Sequence, residues 1–428
     1  MFVHGVTSIG NLAGVNLNDE ESHRALLFAR EQDVVVVPSP VDSDFLAYLD
    51  ELGLELPLGR IVDASAGAEP AASGSLAETL LANEAALGKI GAMCGDAPVT
   101  LNPFIATGVE WALARSLESI LGRSVRVLGA PADRVRGANM KHVIRGRAAQ
   151  CSVPVTPAEV IEKRATAAET PEDAKALSEA IERMLAATGR VVVKGSFGAS
   201  GSSTFIIETA GEIAQTVASI TGRHDNDVYI VEPLFDIVCS PNIVMWIDPD
   251  DGEISCVSVN DQCIDRRLVF AGSTYPSVAS LLPEMIAGAE LLTRTLMEEG
   301  FSGAAGFDFC EYDDPVTGVR RYFLSELNAR TNGGMYATVL MERINGAQRR
   351  RGLPSISALR STSVFTTPTT FAAVRDSCGE LMFDSATGDG IVPFNPGRLA
   401  AGKVALACFG VSRSRVEELR AECRDRLA

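Results

Sequence analysis

Around residue 194 the chain reads Lys194-Gly195-Ser196-Phe197-Gly198-Ala199-Ser200-Gly201-Ser202-Ser203. A lysine closing the β-branched run Val191-Val192-Val193, followed by Gly and Ser, offers a point charge and a row of close-approaching backbone N–H groups. That equipment suits a polyphosphate. Lysine precedes the glycines, so this is not a Walker A loop, in which lysine closes the motif. Taken alone, the segment also fits an ordinary hairpin tip. Gly397 and Gly402-Lys403 have the glycine spacing of a P-loop, but Val404 stands where Ser or Thr would serve magnesium and a strand follows, so that match is set aside.

A second constellation, Ser325-Glu326-Leu327-Asn328-Ala329-Arg330, ends a strand-like run. Period two puts Glu326, Asn328 and Arg330 on one face. Two are hard oxygen donors suited to Mg²⁺, and the third is a guanidinium suited to a phosphate. Upstream, the apolar run Gly303 to Phe309 holds a single acid, Asp308, and Asp313-Asp314-Pro315-Val316-Thr317-Gly318 is turn chemistry. A hairpin centred on Thr317 sets Asp308 opposite Glu326. Facing carboxylates repel unless a divalent ion bridges them. A third segment, Val228 to Phe235, is a β run ending in Glu232 and followed by Leu234 and Phe235. By itself it is an ordinary buried strand end.

The elements that must position these groups alternate between strand and helix patterns. Val34 to Val37 reads as a strand buried on both faces, and Phe45, Leu46, Leu49 and Leu52 repeat at helical spacing after Asp42 or Ser43 as cap. Val109 to Leu121 is a second amphipathic helix, ended by Gly122. No Gly-x-Gly-x-x-Gly marks a dinucleotide site in this first layer. Further along come a strand at Val125–Leu128, a polar segment with Lys141, and a helix from about Pro171 to Ala187. Strands are expected at Ile243–Ile247, Ile254–Val259, Ala304–Tyr312 and Arg321–Leu327, with a helix at Leu281–Glu299. The last 60 or so residues read as strands at Thr370–Val374 and Lys403–Phe409 and a charged terminal helix.

The chain has 428 residues, with 38 Lys and Arg against 55 Asp and Glu, a formal net charge of −17. Such a chain is repelled by extended polyanions, so nucleic acid and anionic membranes are not expected partners. Its four histidines are scattered, and nine cysteines without Cys-x-x-Cys spacing fit neither a disulfide framework nor a thiolate metal site. With no signal-peptide pattern or membrane-length apolar run, a cytoplasmic location is expected.

In chain order, Lys141, Lys194 with its glycine loop, the Glu232 hinge, Asp308 and Glu326-x-Asn328-x-Arg330 resemble the ATP-grasp superfamily of carboxylate–amine ligases over roughly residues 126 to 345. The resemblance implies an α/β protein of ATP-grasp fold. A Rossmann-like pre-ATP-grasp domain is expected at 1–125, a lid subdomain at 126–231, a large subdomain at 232–355 and a small α/β extension at 356–428. It implies that Lys141 and Lys194 bind the ATP phosphates under a lid loop of Gly198, Ser200, Gly201 and Ser202. Glu232, Leu234 and Phe235 would line the adenine site. Asp308, Glu326 and Asn328 would hold two Mg²⁺, with Arg330 and Lys194 the catalytic cations.

One position departs from the pattern. Many relatives carry an Arg two residues before the first metal carboxylate, where this chain has Gly306; Arg266 or Arg267 is the expected substitute for binding the acyl phosphate. The N-terminal layer, together with the tail Gly390 to Gly410, is similar to the peptide ligases of pheganomycin-type natural-product biosynthesis. The implied activity is activation of a small-molecule carboxylate as an acyl phosphate, then capture by an amine or peptide N-terminus to form an amide or peptide bond. A kinase of the same fold and a non-catalytic nucleotide-binding module are the alternatives. Oligomeric state stays open, a homodimer included.

Overall fold

The computed structural model describes residues 1–7, 19–67, 74–163, 171–197, 203–222, 226–265 and 268–427. Three sheets form among them. The first is parallel, in the order Ile61–Asp63, Val35–Val37, Phe2–Val3, Val99–Pro103, Val125–Val127. Its interior strand Val35–Val37 is wholly buried, as a β-branched strand covered on both faces must be. Asp42 accepts hydrogen bonds from the N–H groups of Asp44 and Phe45 to start the helix Ser43–Glu51. A Thr107–Glu110 capping box starts the helix Gly108–Leu121, and Gly122 in the left-handed region ends it. The strand near 125 is thus the fifth strand of this first sheet.

The second sheet is antiparallel, in the order Glu159–Glu162, Val228–Pro233, Val191–Gly195, Thr204–Ile207. With the helix Pro171–Thr188 and the helix Ile213–Thr221 it encloses its own small core, including Ile181, Val193, Ile220 and Val231. No apolar periodicity announces the strand Glu159–Glu162, because an edge strand with alternating half-exposed residues needs little of it.

The third sheet carries the hairpin Gly303–Asp313 and Arg320–Asn328 beside Ile237–Cys239, Pro241–Ile247, Ile254–Ile264 and Phe270–Tyr275, all in antiparallel pairs. It continues without a break into Ala358–Phe365, Lys403–Gly410 and Gly390–Asn395, so the residues expected as a C-terminal extension prolong the large sheet. Residues expected as a strand at Thr370–Val374 are instead the start of the helix Phe371–Cys378, with the Thr370 hydroxyl accepting from Ala373. Phe371, Val374 and Cys378 are the buried face, and their spacing of three and four is helical. Among the described residues, no helix is long and apolar enough to cross a membrane.

The first and third sheets meet along the helix Gly333–Arg351. Its Tyr336 packs edge-on against Phe28 and His4, and the hydroxyl lies 2.8 Å from His4 Nδ1. Arg343 caps carbonyls of Leu26, Leu27 and Ala29 from the same helix. Burial holds the His4 imidazole neutral, its pKa lowered to about 3. Between that value and the ordinary 6.5 the unfolded chain binds the proton and the native chain does not. Stability is therefore full above pH 6.5 and falls with acidification, by up to about 1.4 kcal/mol per pH unit from this group. Urea unfolding at pH 7 and pH 5 is expected to show His4→Gln with a flatter dependence than the parent.

Candidate active site

On the Gly303–Asp313 and Arg320–Asn328 strands Asp308 lies directly opposite Glu326, as expected, although the pairs next to the turn, Asp313 with Arg320 to Phe309 with Leu324, are one residue out of that register. A bulge between Asp308 and Phe309 restores it. Asp308 accepts from the Asn242 amide at 2.5 Å and from the Asn328 amide at 2.9 Å. Asn328 in turn accepts from Arg330 at 2.6 Å. Burial, then repulsion from Glu326, pushes the Asp308 pKa up to about 7.

Lys194 ends the strand Val191–Gly195, and Glu232 lies diagonally across from it on Val228–Pro233, since Val192 pairs with Glu232 and Lys194 with Ile230. Their side chains form an ion pair at 2.8 Å, and the Lys194 ammonium reaches the Ser325 hydroxyl at 3.3 Å. Burial, the largest single effect, lowers the lysine pKa, but the charge and hydrogen bond of Glu232, with smaller help from Cys310 and Glu326, together make the net displacement upward. Glu232 behaves in mirror fashion: burial raises its pKa, Lys194 and Arg145 together outweigh burial, and the net displacement is downward. Both groups are held charged, which a phosphate-binding ammonium needs. Lys141 opens the helix Lys141–Gln150, its backbone N–H bound to the Ser196 carbonyl, and its ammonium lies 3.4 Å from Glu326.

The fold thus links Lys141, Lys194, Glu232, Asp308, Glu326, Asn328 and Arg330 where the second and third sheets meet. Phe235 stacks on Tyr312 at 4.3 Å between ring centroids, and the Leu234 N–H binds the Arg190 carbonyl. Gly198, Ser200, Gly201, Ser202, Arg266 and Arg267 lie outside the described residues.

Sequence reasoning passed over four contributors. Arg145 sits one helical turn after Lys141 and binds both Glu232 and Thr156, so Glu232 is shared by two cations. The spacing of four from Lys141 was the available signal. Ser325 and Asn242 reach the site from positions with no distinguishing pattern. Asn332 explains Gly306: a Cβ at residue 306 would collide with the Asn332 amide, which hydrogen-bonds Asn242 at 3.1 Å. Any side chain at 306 would first have to displace that amide. Arg145→Met is expected to destabilise the fold by about 3 kcal/mol, because a buried carboxylate loses one of two cations; chemical denaturation measures it.

Among the described residues, no three His, Cys, Asp or Glu side chains gather as a metal cluster. The oxygen set is instead two carboxylates and one amide, hard donors that suit Mg²⁺ and not a soft metal. Charge balance also fits: Asp308 and Glu326 face each other, burial and then that repulsion push the Asp308 pKa up to about 7, and a divalent cation would relieve the repulsion. The Asn328 oxygen keeps a second lone pair for such an ion while it accepts from Arg330.

Residues 22–119 match the Pre ATP-grasp domain family model. No curated protein matches the sequence. Among solved structures, N5-carboxyaminoimidazole ribonucleotide synthetase from Thermus thermophilus is 14% identical, with TM-score 0.54 over 95% of this chain and 96% of that one. Carboxyaminoimidazole ribonucleotide synthase from Aspergillus clavatus, complexed with ATP, is 11% identical, with TM-score 0.51 over 90% of this chain and 96% of that one. Pyruvate carboxylase from Rhizobium etli is 15% identical, with TM-score 0.52 over 85% of this chain and 33% of that longer one. The three sheets and their order are those of an ATP-grasp fold behind a parallel, Rossmann-like N-terminal sheet.

Proposed function

We propose that the chain is an ATP-dependent ligase that joins a carboxylate to an amine. The observation that carries this reading is the cross-strand pair Asp308 and Glu326 ringed by Lys141, Lys194 and Arg330, charges of both signs where the second and third sheets meet. Such a set has no nucleophile of its own, and suits a reaction whose intermediate is carried by phosphate. The terminal phosphoryl group of ATP passes to a carboxylate oxygen, leaving ADP. The amine nitrogen then attacks the acyl carbon, phosphate departs, the amine loses a proton, and an amide remains.

Lys194 and Lys141 would hold the phosphates in line and offset their charge, and each would exchange a protein carboxylate for phosphate oxygens as ATP enters. Arg145 would keep Glu232 neutralised while Lys194 turns away from it. Arg330 would meet charge growing on the transferred group. Mg²⁺ held by Asp308, Glu326 and Asn328 would neutralise phosphate charge when bound. The Asn242 and Asn328 amides fix the Asp308 carboxylate. The similarity to pheganomycin-type ligases supports an amino acid or a peptide N-terminus as the amine.

The test is ADP release with a panel of amino acids and short peptides, with hydroxylamine trapping and mass spectrometry. A hydroxamate formed from a carboxylic acid is the expected product. A phosphorylated alcohol would replace the ligase with a kinase, and ATP binding without turnover across the panel would leave a binding module.

A further inference from the structure

We infer that Arg24, from the N-terminal domain, is the second guanidinium of the acid-binding subsite, holding the reacting carboxylate and the acyl phosphate made from it together with Arg330. The inference rests on the ligase reading above and names the residue that supplies the cation Gly306 cannot.

Two guanidiniums converge on one ring. Arg330 lies 5.3 Å and Arg24 5.4 Å from the Phe104 centroid, and Arg24 also lies 4.2 Å over Tyr336. Like charges gathered at one ring are stable only with an anion between them or an acid beside each. Arg24 has Glu21 at 3.0 Å, yet its Nε is buried without an acceptor. Its side chain is only 11% exposed, so bulk water does not solvate that donor. Arg330 bonds neutral oxygens, those of Asn328 and Thr331. Burial lowers its pKa, and the nearby Arg24 charge adds to that. The Asp308 and Glu326 charges offset it through space, but among the described residues Arg330 forms no ion pair with either. An oxyanion bridging the two arginines would satisfy the free Nε and both charges, in the planar geometry a guanidinium fork prefers.

The location supports a small ligand. Phe104 follows the fourth strand in sequence, Val99–Pro103, and His4 follows the first, Phe2–Val3. These strands are neighbours, while the chain leaves them in opposite directions across the sheet, to Val35–Val37 on one side and Val125–Val127 on the other. That is the topological switch point of an open parallel sheet, where crevices form at the carboxyl ends of strands. Arg330 reaches this crevice from the bend just past the end of the metal-carboxylate hairpin, its N–H bound to the Asn328 carbonyl. An acid bound there would present its carboxylate between the phosphate-binding lysines and the N-terminal sheet.

The test uses the full chain saturated with ADP and Mg²⁺, which occupies the nucleotide subsites, and titrates inorganic phosphate calorimetrically as the anion probe. Arg24→Gln is expected to weaken phosphate at least tenfold with ADP affinity unchanged; Arg24→Lys, which keeps the charge and loses the fork, is expected to weaken it several-fold. Equal phosphate affinity in parent and Arg24→Gln overturns the inference, as does a parent that binds ADP and no phosphate. Should Arg24→Gln not fold, parent-like phosphate affinity in Arg24→Lys overturns it. Absence of ADP binding by the parent instead sinks the ligase reading itself. With the substrates identified by the hydroxylamine screen, Arg24→Gln is expected to raise KM for the acid at least tenfold and to spare KM for the amine. The reverse pattern would assign the arginine to a carboxylate of the amine substrate and overturn the proposal.

Discussion

Arg330→Ala is expected to lower amide formation by roughly three orders of magnitude or more, the scale seen when a cation that meets transferring phosphoryl charge is removed. KM for ATP should change much less, because the ground-state phosphates would rest on Lys141 and Lys194. The physical reason lies in what Arg330 touches. Its guanidinium is buried, bonded to the Asn328 amide and the Thr331 carbonyl, and close enough to Asp308 and Glu326 for their charges to raise its pKa against burial. A cation so desolvated is worth far more to charge that grows during reaction than one in water. Steady-state ADP release with product quantified by mass spectrometry measures the loss. Near-normal turnover in a folded variant would remove Arg330 from the proposed chemistry.

Glu326→Ala carries the second large effect. Glu326 faces Asp308 across the hairpin and is the ion-pair partner of Lys141. Without it, a divalent cation would keep one carboxylate and one amide, and the Mg²⁺ concentration for half-maximal rate is expected to rise at least tenfold. Turnover should fall by roughly two orders of magnitude or more, the cost of one lost electrostatic contact to the transferring group. The Asp308 carboxyl, relieved of its facing negative charge, should shift down towards the ordinary range. Parent enzyme treated with a chelator should lose activity and regain it on addition of Mg²⁺; activity that survives chelation would remove the metal from the mechanism, whatever Glu326 does.

Much of the local framework was legible in the residues. Asp308 opposite Glu326 is what a turn centred on Thr317 predicts, yet the pairs next to the turn run one residue out of that register, Phe309 facing Leu324, and the bulge between Asp308 and Phe309 restores it, which no count could show. Helix starts at Ser43 and Gly108 follow from a capping Asp42 and Thr107. Thr370–Val374 misled because Phe and Val carry β propensity, while the cap and the buried spacing of Phe371, Val374 and Cys378 belong to a helix. The continuation of the large sheet through Ala358–Phe365 was equally hidden, since pairing partners separated by tens of residues leave no periodic trace in either strand.

The sequence by itself determined the types of charge available and their order: lysines before the hinge acid, paired carboxylates on one hairpin, an arginine at its end. These are local properties, set by strand period and turn residues. Only the tertiary structure decided which partners those charges keep. It set Arg145 beside Glu232, filled the space over Gly306 with Asn332, and brought Arg24 from the helical segment Asp19–Leu27 to the Phe104 ring shared with Arg330. The reason is physical: burial makes an unpaired charge costly, so each is matched through space by whatever element packs against it, and that neighbour can come from anywhere in the chain.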